Sequence, residues 1–161
     1  MSRGKAIPKR VVAPDPVYSS LLLAKFINFL MERGKKTVAQ AIVYGAFDII
    51  KEKNDRDPLK VFEEVIEKIR PQVEVRSRRV GGANYQVPIP VTFKRQRALA
   101  FRWIVGAALQ KKGKAMNEKL ADILVESSQN LGDAIRKRDD VHRMAEANKA
   151  FAHFARFRKK K

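Results

Sequence analysis

His142 and His153 are the only histidines in the chain, and Asp139 and Asp140 lie just before the first of them. Asp139, Asp140 and His142 could be read as an acid/base cluster, although adjacent aspartates on a helix more simply supply capping and surface charge. The two histidines do not match the His-x-x-x-His spacing of a helical zinc site. Gly34-Lys35-Lys36-Thr37 hints at a phosphate loop, but the pattern fails twice: the upstream glycine position holds Phe29 and the hydroxyl position holds Lys36. Gly81-Gly82 lacks the third glycine and the strand-to-helix setting of a dinucleotide loop. No catalytic residue, metal site or cofactor is expected from these patterns.

The cations are more informative. Among 161 residues there are 35 Lys plus Arg against 17 Asp plus Glu, a net charge of +18. A polyanionic partner would relieve that self-repulsion. An apolar share of 45% allows a core, and the absence of cysteine excludes disulfides and thiolate sites. No apolar run reaches the ~20 residues of a spanning helix, and none of signal-peptide length precedes Pro14 and Pro16. The expectation is a soluble cytoplasmic protein with no membrane partner.

The basic residues are also clustered. Lys94, Arg95, Arg97, Arg102, Lys111, Lys112 and Lys114 fall in one stretch without an acid. At about 100° per residue, Lys94, Arg95 and Arg102 share a helix face, with Leu99, Trp103 and Ala107 opposite. Arg76, Arg78 and Arg79 accompany Tyr85 around a glycine pair, and both ends of the chain add more cations. Phosphates neutralised by such residues release counterions, so binding should fall steeply with salt. Cations spread over an arm, a helix, a hairpin and a tail suit a folded RNA gripped by shape and phosphates better than a DNA groove. Tyr85 could stack on a base or pack against Val73 or Val75.

These residues need a scaffold. Residues 1–17, with three prolines, read as a basic extended arm. Ser19 or Ser20 caps a helix with Leu22, Leu23, Phe26, Ile27 and Leu30 at helical spacing, stopped by Gly34. A second helix runs over about 37–53, with Val38, Ile42, Ala46, Ile49 and Ile50 as its stripe. Asp57-Pro58 opens a third, with Leu59, Phe62, Val65, Ile66 and Ile69 inward, and Pro71 closes it. The period then changes to two around Gly81-Gly82, giving a hairpin at about 72–91. Pro88 and Pro90 lose donors on one edge only, so they block the outer edge. Thr92 caps a fourth helix to about Lys112, whose apolar middle should lie at the centre. A fifth spans about 114–128, with Met116, Leu120, Ile123 and Leu124 inward. A sixth runs from Asp133 to about His153, and residues 155–161 form a basic tail. The class is mainly α: a six-helix domain over 18–154 with a hairpin between helices three and four.

Several blocks carry a resemblance. Lys25-Phe26-Ile27-Asn28-Phe29-Leu30-Met31, Gly34-Lys35-Lys36-Thr37 and Ala41-Ile42-Val43-Tyr44 resemble the signature region of the bacterial small-subunit ribosomal protein seven family. Val73–Gly82 with Tyr85-Gln86-Val87-Pro88, Ala98–Val105 and Asp140–His153 are similar to its hairpin and later segments. The resemblance implies a six-helix domain with a protruding hairpin. It implies a primary binder of small-subunit ribosomal RNA that nucleates head assembly, in the cytoplasmic small subunit. It further implies a place at the subunit interface near the exit site, close to messenger RNA, exit-site transfer RNA and neighbouring proteins of the head and platform. Carried onto this chain, ribosomal RNA contacts fall to Arg3, Lys5, Lys9, Arg10, Lys25, Lys35, Lys36, Arg76, Lys94, Arg95, Arg97, Arg102, Lys111, Lys112 and Lys114. The messenger- and transfer-RNA side falls to Arg78, Arg79, Gly81, Gly82, Tyr85, His142, Arg143, Glu146 and Lys149. Two rivals are a free-standing nucleic-acid-binding regulator and a small enzyme using the Asp140/His142 region.

Overall fold

The computed structural model describes residues 11–54 and 56–156. The chain divides into two compact units, Met1–Ala41 and Ile42–Lys161.

In the first unit Asp15 folds the chain back before α1 (Leu21–Leu30). Its buried carboxylate accepts the N–H groups of Val17 and Tyr18, both at 3.1 Å, and its carbonyl accepts that of Ser19 at 2.8 Å. Such Asx geometry satisfies donors that a turn would otherwise leave open. The Ser20 hydroxyl, rather than that of Ser19, accepts the Leu23 N–H at 3.3 Å as N-cap. Leu23, Ala24, Phe26 and Ile27 are buried. The helix ends at Leu30, before Gly34, which instead turns the chain at φ +75°.

α2 (Lys36–Asn54) begins in this unit and continues into the second. Its buried stripe is Ala39, Val43, Ala46, Phe47 and Ile50, whereas Val38 is 51% exposed. Of the expected stripe, Ala46 and Ile50 are buried, whereas Ile42 and Ile49 are half-buried and Val38 is exposed, so the inward face is turned toward Ala39, Val43 and Phe47. Both series recur at helical spacing, and Phe47 lies on the inner one, its ring 6.0 Å from that of Phe62.

The second unit continues with α3 (Pro58–Ile69), where Asp57 accepts the Leu59 N–H at 3.0 Å and the proline occupies the first turn. Val61, Phe62, Val65, Ile66 and Ile69 are buried; Leu59 is only half-buried. β1 (Val73–Val80) and β2 (Ala83–Pro90) pair antiparallel, from Val73 opposite Pro90 to Val80 opposite Ala83. Gly81 and Gly82 both have positive φ, +57° and +92°. A two-residue turn matching strand twist needs this, and side chains resist it. The Val91 N–H, just past Pro90, still reaches the Gln72 carbonyl at 3.0 Å, so the donor expected of Val91 serves the inner edge.

α4 (Phe93–Gln110), α5 (Met116–Ser128) and α6 (Asp133–Ala147) follow. α4 packs on α3, α5 and α6 through Leu99, Ala100, Phe101, Ile104, Ala107 and Ala108. It is not enclosed all round: Leu109 is 62% exposed and Trp103 half-buried. Thr92 stands at its N-cap without a side-chain cap bond. α6 ends six residues short of His153. Asn148 closes it, its side chain donating to the Met144 carbonyl at 2.8 Å, and the chain tightens into a 3₁₀ helix, Lys149–Arg156. The described residues thus contain six α-helices and one 3₁₀ helix, a seventh helical element beyond the six expected.

Candidate nucleic-acid interface

The hairpin is anchored at its root by a buried acid. Glu74, 8% exposed, accepts from Arg76 Nε at 2.6 Å and, through its other oxygen, from Arg95 Nε of α4 at 3.2 Å. Burial works to raise the Glu74 carboxyl, but the two arginines outweigh it and hold its pKa below the ordinary glutamate value. Arg76 and Arg95 are therefore half-neutralised where they leave the protein, although both keep exposed guanidinium surface. At the same root, His142 of α6 accepts the Gln72 N–H on Nε2 at 3.2 Å. His142, Glu146 and Lys149 line a cleft of about 450 Å³ with Val73, Pro88 and Pro90.

Higher up, the 3₁₀ helix braces the hairpin. The Tyr85 ring lies 5.1 Å from Phe151 and 5.2 Å from Phe154, which stack on each other at 6.2 Å. Arg78, opposite Tyr85 in register, donates Nη1 to the Phe154 carbonyl at 3.2 Å. His153 packs its ring 4.0 Å from that of Phe154. Tyr85 thus packs on neither Val73 nor Val75, and its ring is already engaged within the protein. Only Arg79, Gly81, Gly82, Ala83 and Asn84 form an exposed tip. On α6, Arg143 pairs with Asp140 at 3.5 Å and Glu146 pairs with Lys149 of the 3₁₀ helix at 3.1 Å, all four at the surface.

The cations of α4 fall into two groups. Lys94 and Arg102 are exposed, and Lys112 follows beyond its C-terminus; among the described residues none of the three meets a carboxylate. Arg97 is half-buried, 6.0 Å from the Phe93 ring. Lys111 instead bonds Glu126 at 2.5 Å and Lys114 bonds Asp122 at 2.7 Å. The hydrogen bond that Lys114 donates to Asp122 raises the Lys114 pKa; burial works to raise the Asp122 carboxyl, but Lys114 in turn holds it low. The acids missing from the 94–114 stretch are supplied by α5. In the first unit Lys35 and Lys36 are exposed and Lys25 half-buried. Arg3, Lys5, Lys9 and Arg10 lie outside the described residues.

Sequence reasoning passed over Glu74, Phe93 and Arg70. Arg70 pairs with Glu67, and its guanidinium lies 4.7 Å from the centre of the Phe93 ring. A phenylalanine opening an acid-free basic stretch was the available signal. Among the described residues no three His, Asp or Glu side chains gather as a metal site would need, and no helix is long and apolar enough to cross a membrane.

Comparison with known proteins adds an independent line. The family model for ribosomal protein S7p/S5e matches residues 2–149. The small ribosomal subunit protein uS7 of Desulfotalea psychrophila is 57% identical over 155 residues, 96% of this chain and 99% of the relative. That of Thermotoga maritima is 57% identical over 152 residues, covering 94% and 98%. That of Teredinibacter turnerae is 55% identical over 154 residues, covering 96% and 99%.

Proposed function

The chain belongs to the ribosomal protein S7p/S5e family, and from that premise we propose that it is a primary RNA binder that nucleates assembly of the small-subunit head. The family is one of structural ribosomal proteins, not of enzymes, and the chain is a protein of the small ribosomal subunit in the cytoplasmic ribosome. Its partners are ribosomal RNA and neighbouring ribosomal proteins, here assigned to the head and platform. The observation that carries the reading is identity above one half sustained over nearly the whole chain.

Within that reading, residues 1–17 serve as a basic arm, 18–154 as the helical domain and 155–161 as a basic tail. Lys94, Arg102 and Lys112 supply phosphate contacts that no carboxylate opposes, joined by Arg97, by the outer faces of Arg76 and Arg95, and by Lys25, Lys35, Lys36 and the arm. Lys111 and Lys114 contribute less, because each must first leave an acid of α5. The exposed tip at Arg79–Asn84 approaches messenger RNA and exit-site transfer RNA, and Arg143 and Glu146 on α6 and Lys149 at the start of the 3₁₀ helix share that side. Arg78, Tyr85 and His142 act by holding the finger in place, which their contacts with Phe154, Phe151 and Gln72 support.

Footprinting of the full chain on isolated small-subunit RNA tests the first part. Protection that is absent, or that needs the other head proteins, overturns primary binding. Subunits in which Arg79–Asn84 is replaced by a short turn test the second. Head assembly should survive and exit-site transfer RNA occupancy should fall; collapse of assembly with normal occupancy would reverse the roles.

A further inference from the structure

Phe93 is the first residue of α4 and is 62% exposed. An isolated exposed aromatic needs no explanation, but this one is set among cations. The Arg70 guanidinium carbon lies 4.7 Å from its ring centre and that of Arg97 6.0 Å. Lys94 is exposed next to it, and Arg95 follows. Arg70 is charge-balanced by Glu67 and therefore fixes the ring more than it adds net charge. Lys94 and Arg97 have no carboxylate partner among the described residues and retain theirs.

An apolar peptide would have to dehydrate those cations to cover the ring, without compensation. A membrane would take the cations but would want more than one aromatic. An unpaired nucleotide satisfies both parts, its base on the aromatic face and its phosphates on the flanking charges.

Resting on the proposed RNA-binding role, we infer that Phe93 is a stacking platform for an unpaired base of the ribosomal RNA. Arg70 and Arg97 set the ring, and Lys94 and Arg97 hold the adjoining phosphates. This site adds an apolar contact to a surface otherwise read as purely electrostatic. It also makes that surface selective for a strand with an unstacked base over a continuous duplex.

The two kinds of contact separate in a salt titration. Removing a phosphate contact lowers both affinity and the slope of log affinity against log salt; removing a stacked ring lowers affinity alone. The probe is isolated small-subunit ribosomal RNA, titrated with the full chain and with Phe93→Ala, Phe93→Trp and Arg102→Ala, each checked by thermal melting. Phe93→Ala should weaken binding about tenfold with an unchanged slope. Phe93→Trp, placed in a Trp103→Phe background, should keep the affinity and lose fluorescence on binding. Unchanged affinity in Phe93→Ala overturns the platform while leaving the RNA-binding role intact. A loss accompanied by a shallower slope overturns it too, because displaced cations would then explain it. A slope near one for the unaltered chain, with Arg102→Ala indistinguishable from it, would sink the RNA-binding role itself.

Discussion

Arg95 of α4 and Glu74 of β1 are joined at 3.2 Å, so the finger is fastened to the helix that carries the free cations by a carboxylate almost out of water. On the proposed function, two unlike jobs, gripping phosphate and holding the hairpin, meet on one guanidinium.

That junction is sensitive to acid. The folded pKa of Glu74 lies below its unfolded value of about 4.3. Its stabilisation is therefore complete above the unfolded value and is lost as pH falls through the folded one. Glu74→Gln should cost about 1–2 kcal/mol near neutrality, after allowance for the exposed parts of both arginines. It should also flatten the decline of melting temperature below pH 5. Parallel melts of both proteins from pH 7 to pH 3 measure this; identical acid profiles would contradict it.

The aromatic brace should show coupling. Tyr85→Ala, Phe151→Ala and the double variant form a cycle whose interaction free energy is expected at about 0.5–1.5 kcal/mol. The amides of β1 and β2 should exchange faster in either single variant while those of α3 do not. Additive losses would mean that the rings are merely near each other.

Charge on the 94–114 stretch should divide by partner. Arg102→Ala should reduce RNA affinity and lower the salt slope by about one, with no change in melting. Lys111→Ala should leave the slope nearly unchanged, because Glu126 already occupies that ammonium. Equal effects of the two on the slope would show that the Lys111 pair opens on binding.

Packing makes a fourth test. Phe62 is fully buried, and Phe62→Ala should cost about 3–5 kcal/mol. Trp103 is half-buried and Trp103→Ala should cost clearly less, whatever its helical face suggests. Chemical denaturation of the two variants ranks them.

What could be read before the structure was local. Asp57-Pro58 opens α3, Pro71 follows its end, and Gly81-Gly82 sits where both φ angles turn positive; each is chemistry of one or two neighbouring residues. What stayed hidden depended on distant partners. The inward face of α2 is ambiguous because Val38-Ile42-Ile49 and Ala39-Val43-Phe47 both recur at helical spacing around the shared Ala46 and Ile50, and the neighbours of Phe47 decide. Lys111 and Lys114 look free until α5 brings Glu126 and Asp122 alongside. Tyr85 looks available until the 3₁₀ helix arrives, and that helix had no signal separating it from the end of α6. The candidate site was therefore legible in composition and placement, and illegible in which of its cations were already in use.

The brace also sets a clock. Arg78 reaches Phe154 across 76 residues of chain. At about 5–20 residues per second of synthesis, roughly 4–15 s pass between making one partner and making the other. Through that interval the root of the hairpin gains α4 and then α6, but the upper strands around Arg78 and Tyr85 lack their brace. Purified chains ending before residue 149 should show less protected amides in the upper strands than chains extending past residue 156. The prolines on the outer edge then have a temporal use. They keep a newly made, still unsupported strand from joining another chain's while the last turns of its own support are being written.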